Sequence, residues 1–178
     1  SDELALPHFP DRRLLDFLLA DEVLDLVQPF IGPNIGLWSS HFIAKEPRVG
    51  RATPWHEDSS YWNGRADTME GIITVWLALD RATEENGCMR VIPGSHLAGG
   101  FSDYEKVDRS TTLFGSQIKP EPIDEAKAVA FDLERGECSL HDSRLVHGAQ
   151  PTPSQTPRAR HTTPHHRPQP PPPPPSQP

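Results

Sequence analysis

An imidazole and a carboxylate stand two positions apart in Trp55-His56-Glu57-Asp58. Successive side chains of a β-strand point to opposite faces, so a strand here turns His56 and Asp58 to one side and Glu57 to the other. Such a pair can fill two coordination positions of one cation, and a third ligand must come from elsewhere in the chain. Of the nine histidines, those far enough along to supply it are His96, His141 and His147. His96 follows Pro93-Gly94-Ser95, a turn, where an imidazole ordinarily bonds to backbone groups. His141 and His147 share strand parity if the strand between them is regular, so parity leaves both open. Two imidazoles and one carboxylate on one face leave three positions of an octahedral ion free, which suits ferrous iron holding a bidentate co-substrate and O2. Zinc can use the same ligands, with a preference for four-coordinate geometry.

The elements that must position these donors are mostly strands. Between Asp11 and Phe30 leucines and valines recur at helical spacing, which predicts one broken helix or two short ones, with Asp11 and Asp21 available as N-caps. Gly32-Pro33 stops the helix, and residues 34–43 are rich in strand formers. The run Gly71 to Leu79 is β-branched and apolar throughout, as befits a strand buried on both faces. Further strands are predicted over residues 88–92, 128–131 and 138–146. Short strands joined by loops argue for an antiparallel barrel or double-sheet jelly roll. Residues 103–125 are polar and lack a period, and are read as a long loop able to cover a site.

A chain of 178 residues, about a third of it apolar, suffices for one domain with a core. Its net charge of −8, without clustered Lys and Arg, argues against nucleic-acid binding. Cys88 and Cys138 make no disulfide framework, and no apolar run reaches membrane-span length. A reduced, soluble, cytoplasmic protein with no membrane partner is expected.

Three motifs follow one another: Thr53 to Trp62, which contains His-Glu-Asp; Val75 to Asp80, Val-Trp-Leu-Ala-Leu-Asp; and Glu85 to His96, which contains Asn-Gly-Cys-Met-Arg-Val-Ile-Pro-Gly-Ser-His. Asp142 to Ala149, Asp-Ser-Arg-Leu-Val-His-Gly-Ala, comes later. On these residues the chain resembles the phytanoyl-CoA dioxygenase family of Fe(II)- and 2-oxoglutarate-dependent oxygenases over residues 32–158. The resemblance implies a mainly β fold with an N-terminal helix, the double-stranded β-helix (jelly roll, cupin-like). It implies Fe(II) held by His56, Asp58 and His147, the catalytic set, and so selects His147 over His141. It also implies that Arg158, eleven residues beyond His147, anchors the far carboxylate of 2-oxoglutarate, with Arg160 as the fallback. A guanidinium can grip a carboxylate in bidentate fashion, which an ammonium cannot. By the same resemblance Trp76 lies beside 2-oxoglutarate and Trp38 lines the same pocket, while Tyr61 and Trp62 are candidates for the substrate side. The implied reaction is hydroxylation of a small organic substrate by O2, with release of succinate and CO2. Asp58 speaks against halogenation, since related halogenases put a small residue there. Two other readings compete: a non-catalytic fold relative that binds a ligand, and a cupin-like zinc enzyme using the same donors for hydrolysis or isomerisation.

After Arg160 the chain departs from the family pattern with His161-Thr162-Thr163-Pro164-His165-His166-Arg167-Pro168 and a proline run. Proline donates no ladder hydrogen bond and favours polyproline II, which predicts that the last barrel strand is missing. The expected organisation is an N-terminal helical segment (1–31), an oxygenase domain (32–160) and a disordered Pro/His-rich tail (161–178).

Overall fold

Asp11 accepts a hydrogen bond from the Arg13 backbone N–H and starts helix α1 (Arg12–Leu18). Helix α2 (Asp21–Ile31) follows, so the broken helix is two. Ala20, not Asp21, is its N-cap; Asp21 and Glu22 lie in its first turn, where acidic groups suit the helix dipole. Gly32, at φ +84°, ends it in a conformation that only glycine adopts cheaply. The structure is a computed structural model that describes residues 2–62, 68–98, 101–121 and 123–168. Among them no helix is long and apolar enough to cross a membrane.

The strands are β1 (Asp2–Ala5), β2 (Gly36–Leu37), β3 (His41–Lys45), β4 (Thr53–His56), β5 (Ile72–Ala78), β6 (Met89–Val91), β7 (Tyr104–Lys106), β8 (Ser116–Ile118), β9 (Val129–Ala130), β10 (Cys138–Asp142), β11 (His147–Ala149) and β12 (Arg158–His166). A short helix, α3 (Ser59–Trp62), follows β4. The larger sheet runs β1-β3-β12-β5-β10, with β2 also on β12; the smaller runs β4-β11-β6-β9; β7 and β8 pair with each other. Every pairing between these strands is antiparallel.

β5 shows why its sequence is apolar without alternation. Ile73 and Val75 pack against Val27 and Ile31 of α2, while Trp76 and Ala78 join Ala82, Cys88, Met89 and Val91 in a second cluster. One face is covered by helix and the other closes on the smaller sheet, so neither meets water.

A final strand is present, against the expectation that it is missing. β12 lies in the middle of the larger sheet, pairing with β3 from Arg158 to Thr162 and with β5 from Arg160 to His166. Pro164 is tolerated there because of the edge it faces. Its carbonyl accepts from the Trp38 backbone N–H at 2.9 Å, and a strand residue directs its N–H and C=O to the same side. The absent donor therefore faces the break between β3, whose ladder ends at Thr162, and β2, whose ladder begins at His165. Residues 161–166, expected in a disordered tail, belong to this strand; residues 169–178 lie outside the described part of the chain.

β12 also buries histidines. His161 is 2 % exposed, stacks on Phe42 at 4.1 Å, and has no hydrogen-bond partner for Nε2. Burial, then His41 and His8, push its pKa down to about 4. Between about pH 6.5 and 4 the unfolded chain binds a proton at His161 that the folded chain refuses, so stability is lost as pH falls through that window. The expected loss from this residue is about 3 kcal/mol at its largest. Denaturant midpoints at pH 7 and pH 5 should converge in His161→Phe relative to the parent; an unchanged pH dependence would refute the assignment.

Candidate metal centre

His56 closes β4, and Asp58 lies two residues on, beyond the end of the strand. His147 opens β11 directly opposite His56 in the ladder. One ligand atom from each of these three residues lies within 4.8 Å of the others. The Asp58 Oδ1 atom is 3.8 Å from Nε2 of His56 and 3.7 Å from Nε2 of His147. Both separations exceed hydrogen-bond length, so an ion between them would meet all three atoms without expelling a direct bond.

The backbone fixes which nitrogen faces inward. Nδ1 of His56 lies 2.8 Å from the Pro54 carbonyl, and Nδ1 of His147 lies 2.8 Å from the Leu145 carbonyl. A carbonyl only accepts, so each Nδ1 carries the proton and each Nε2 presents its lone pair. Asp58 is oriented too: Thr74 Oγ1 donates to Oδ2 at 3.1 Å, and His141 Nε2 stands 3.5 Å from the same oxygen. That leaves Oδ1 turned to the two imidazoles, the outer-shell arrangement that orients ligands in metal sites.

Charge states agree with this geometry. Burial pushes the His56 and His147 rings down, against the pull of Asp58. Burial would by itself raise the Asp58 carboxyl, but His147, His141 and His56 outweigh it and hold it below the ordinary carboxylate range. Neutral imidazoles beside an ionised carboxylate are the protonation states a divalent ion requires.

The donors open on a cavity of about 440 Å³ lined by residues of both sheets, among them Ile43, Thr74, Trp76, His141, Arg160 and Thr162. Trp38, Tyr61 and Trp62 also line it. Trp38 packs on Trp62 with ring centroids 5.6 Å apart. Arg158 does not reach the wall. It is 1 % exposed, its guanidinium lies 5.4 Å from the Trp76 ring centroid, and its Nε and Nη1 atoms are buried without a hydrogen-bond partner. Arg160 stands on the wall, 5.6 Å from the same ring. His96 is elsewhere, on a trough of about 790 Å³ that it shares with Glu57.

Glu57 turns away from the donors, although β4 has already ended at His56, and accepts from Ser102 Oγ at 2.6 Å. Its backbone N–H donates to the Tyr104 hydroxyl at 2.9 Å, which ties the segment read as a covering loop to the back of the donor motif. That segment contains the β7–β8 pair and sends Phe114 into the cavity, edge-on to His56 at 5.0 Å. Nothing in the pattern of residues 103–125 singled out Phe114. His141 and Thr74 were also missed as partners of Asp58, although the expected strands carry both.

Two antiparallel sheets closing on an imidazole–carboxylate–imidazole cluster define a β-sheet protein whose interior carries a donor set able to hold a cation. The model of the phytanoyl-CoA dioxygenase family matches residues 3–160, and the chain belongs to that family. It is 30 % identical over 159 residues to the phytanoyl-CoA dioxygenase domain-containing protein 1 homolog of Caenorhabditis elegans, covering 87 % of this chain and 54 % of that protein. It is 29 % identical over 144 residues to human peroxisomal phytanoyl-CoA dioxygenase, covering 78 % of this chain and 41 % of that protein. The chain thus spans about half the length of the curated relatives it matches. Among solved structures it is similar to EvdO2 from Micromonospora carbonacea var. aurantiaca complexed with 2-oxoglutarate, with TM-score 0.73 and 25 % identity, covering 92 % of this chain and 66 % of that one.

Proposed function

We propose that the protein is a non-haem Fe(II)- and 2-oxoglutarate-dependent dioxygenase that hydroxylates a small organic substrate. The observation that carries this reading is the three-donor cluster opening on a cavity whose wall carries the guanidinium of Arg160 beside Trp76, with that of Arg158 buried behind it. A metal-only hydrolase needs the donors but has no use for a buried cation beyond them. A dicarboxylate co-substrate needs both. EvdO2, similar in fold, is seen with 2-oxoglutarate. The two sheets are read as the halves of a double-stranded β-helix.

In this reading His56, Asp58 and His147 hold Fe(II), with Asp58 kept anionic and oriented by Thr74 and His141. Arg160, on the cavity wall, and Arg158, buried behind it, would hold the far carboxylate of 2-oxoglutarate, with Trp76 beside them and Trp38 in the pocket wall. Bound iron and 2-oxoglutarate supply the oxidation: O2 is consumed as 2-oxoglutarate is decarboxylated to succinate and CO2, and one oxygen atom enters a C–H bond of the substrate. The chain's own part is to position and to exclude. Phe114 and Tyr61, whose rings lie 5.7 Å apart, stand over His56 and limit water on the substrate side. With 2-oxoglutarate taking part of a cavity of about 440 Å³, the substrate is small.

Anaerobic addition of Fe(II) and then 2-oxoglutarate to metal-free protein should produce a visible charge-transfer band, and admission of O2 should yield succinate. A folded sample that takes up Fe(II) but shows neither band nor succinate is a ligand-binding relative, and the reading fails.

A further inference from the structure

Lys45, Arg158 and Arg160 place one amine and two guanidiniums together at the cavity wall. Lys45 and Arg158 are each 1 % exposed and are direct register partners across the β3–β12 ladder. Arg160 stands one alternate position further along β12, on the wall itself. The Lys45 amine donates to the Gln150 carbonyl at 2.7 Å, a neutral partner. Among the described residues neither Lys45 nor Arg158 has a carboxylate at ion-pair distance. A buried ammonium beside two guanidiniums is disfavoured twice, by lost hydration and by like charge.

We propose that Lys45 is a proton reservoir for the co-substrate site: a dicarboxylate settling against Arg158 and Arg160 draws one proton from solvent onto the Lys45 amine, so that its binding is pH-dependent. This rests on the reading of the cavity given above. It goes beyond it by assigning Lys45, which acts through the arginines and is a positioning residue. Burial first, then Arg158 and Arg160, push the Lys45 amine down to about 6, opposed by the Cys88 thiol. Among the described residues those three groups are the titratable or charged ones that act on it. Without an anion Lys45 is therefore neutral at neutral pH. Two negative charges placed against the arginines cancel the repulsion and restore the ammonium. Binding is then strongest near and below pH 6 and weakens as pH rises, by about tenfold in Kd per pH unit until the bound-state value is passed.

The test is calorimetric titration of the full chain, loaded with Ni(II) to prevent turnover, with 2-oxoglutarate in buffers of differing ionisation enthalpy. Uptake of about one proton per 2-oxoglutarate is expected at pH 7.5, with Kd rising about tenfold from pH 7 to pH 8. In Lys45→Met both effects should vanish while 2-oxoglutarate still binds. Should Lys45→Met fail to fold, Lys45→Gln, which retains a donor for the Gln150 carbonyl, takes its place. Binding by the parent without proton uptake, or undiminished uptake in the variant, overturns the role of Lys45 alone. No binding of 2-oxoglutarate by the parent overturns it together with the proposed function.

Discussion

His147→Ala is expected to abolish iron-dependent succinate formation and to weaken Fe(II) binding by more than about 100-fold, since loss of outer-shell partners alone already costs 10–100-fold. The size of the effect follows from where His147 stands. It pairs with His56 in the ladder, so its removal takes away one of three ligand atoms and leaves nothing to replace it on that side. His141 cannot substitute by a small movement: it lies on β10 in the other sheet and already faces Asp58 Oδ2, the oxygen turned away from the ions' approach. Metal analysis after dialysis, together with succinate measured in the same sample, checks the prediction. A variant that retains stoichiometric Fe(II) and turnover would remove His147 from the ligand set.

Arg158→Met should act in opposite directions on binding and on stability. The guanidinium is buried with two donors unsatisfied, and both burial and the neighbouring Arg160 push its pKa below the ordinary value. Replacing an uncompensated buried charge by an apolar side chain of similar length is commonly neutral or stabilising. The ligand-free variant should therefore melt at the same temperature as the parent or higher. Its affinity for 2-oxoglutarate should fall by at least about 30-fold, the value of roughly one charge-assisted hydrogen bond at 2 kcal/mol. Differential scanning fluorimetry with and without the co-substrate reads both. If Arg158→Met is destabilised and binds normally, Arg158 is a structural residue and Arg160 alone serves the carboxylate.

The sequence was informative where chemistry was local. His56 and Asp58 are two residues apart, so one local turn of chain decides whether they converge, and Glu57 between them points away although the strand that the alternation presumed ends at His56. The third donor was a different matter. The parity of His141 and His147 presumed one regular strand, but β10 ends at Asp142 and the chain turns before β11 begins at His147. Both rings still reach the cavity, from different sheets, and no periodicity could tell the ring facing Oδ1 from the ring facing Oδ2. The last strand was misread because the rule against proline in a central strand ignores direction. Pro164 directs both its carbonyl and its missing N–H away from β5, over the gap between β2 and β3, an allowance visible only once neighbours are known. Spacing pointed to Arg158, yet it is Arg160 that stands on the cavity wall; both project from alternate positions of one strand toward Trp76, and depth along that strand separates them.

The place of β12 has a bearing on how the molecule is made. It follows every other described strand in the chain and yet is the one that joins β3 to β5, whose residues are synthesised well before it. Until His166 has emerged, those two strands present open edges that invite pairing with other chains, and such long-range closure is slow. The arginines beside Trp76 arrive with the same segment, so the nascent chain can assemble its three-donor cluster before it owns a place for an anion. Chaperone occupancy is therefore expected to be concentrated on chains that have passed β11 but not yet β12.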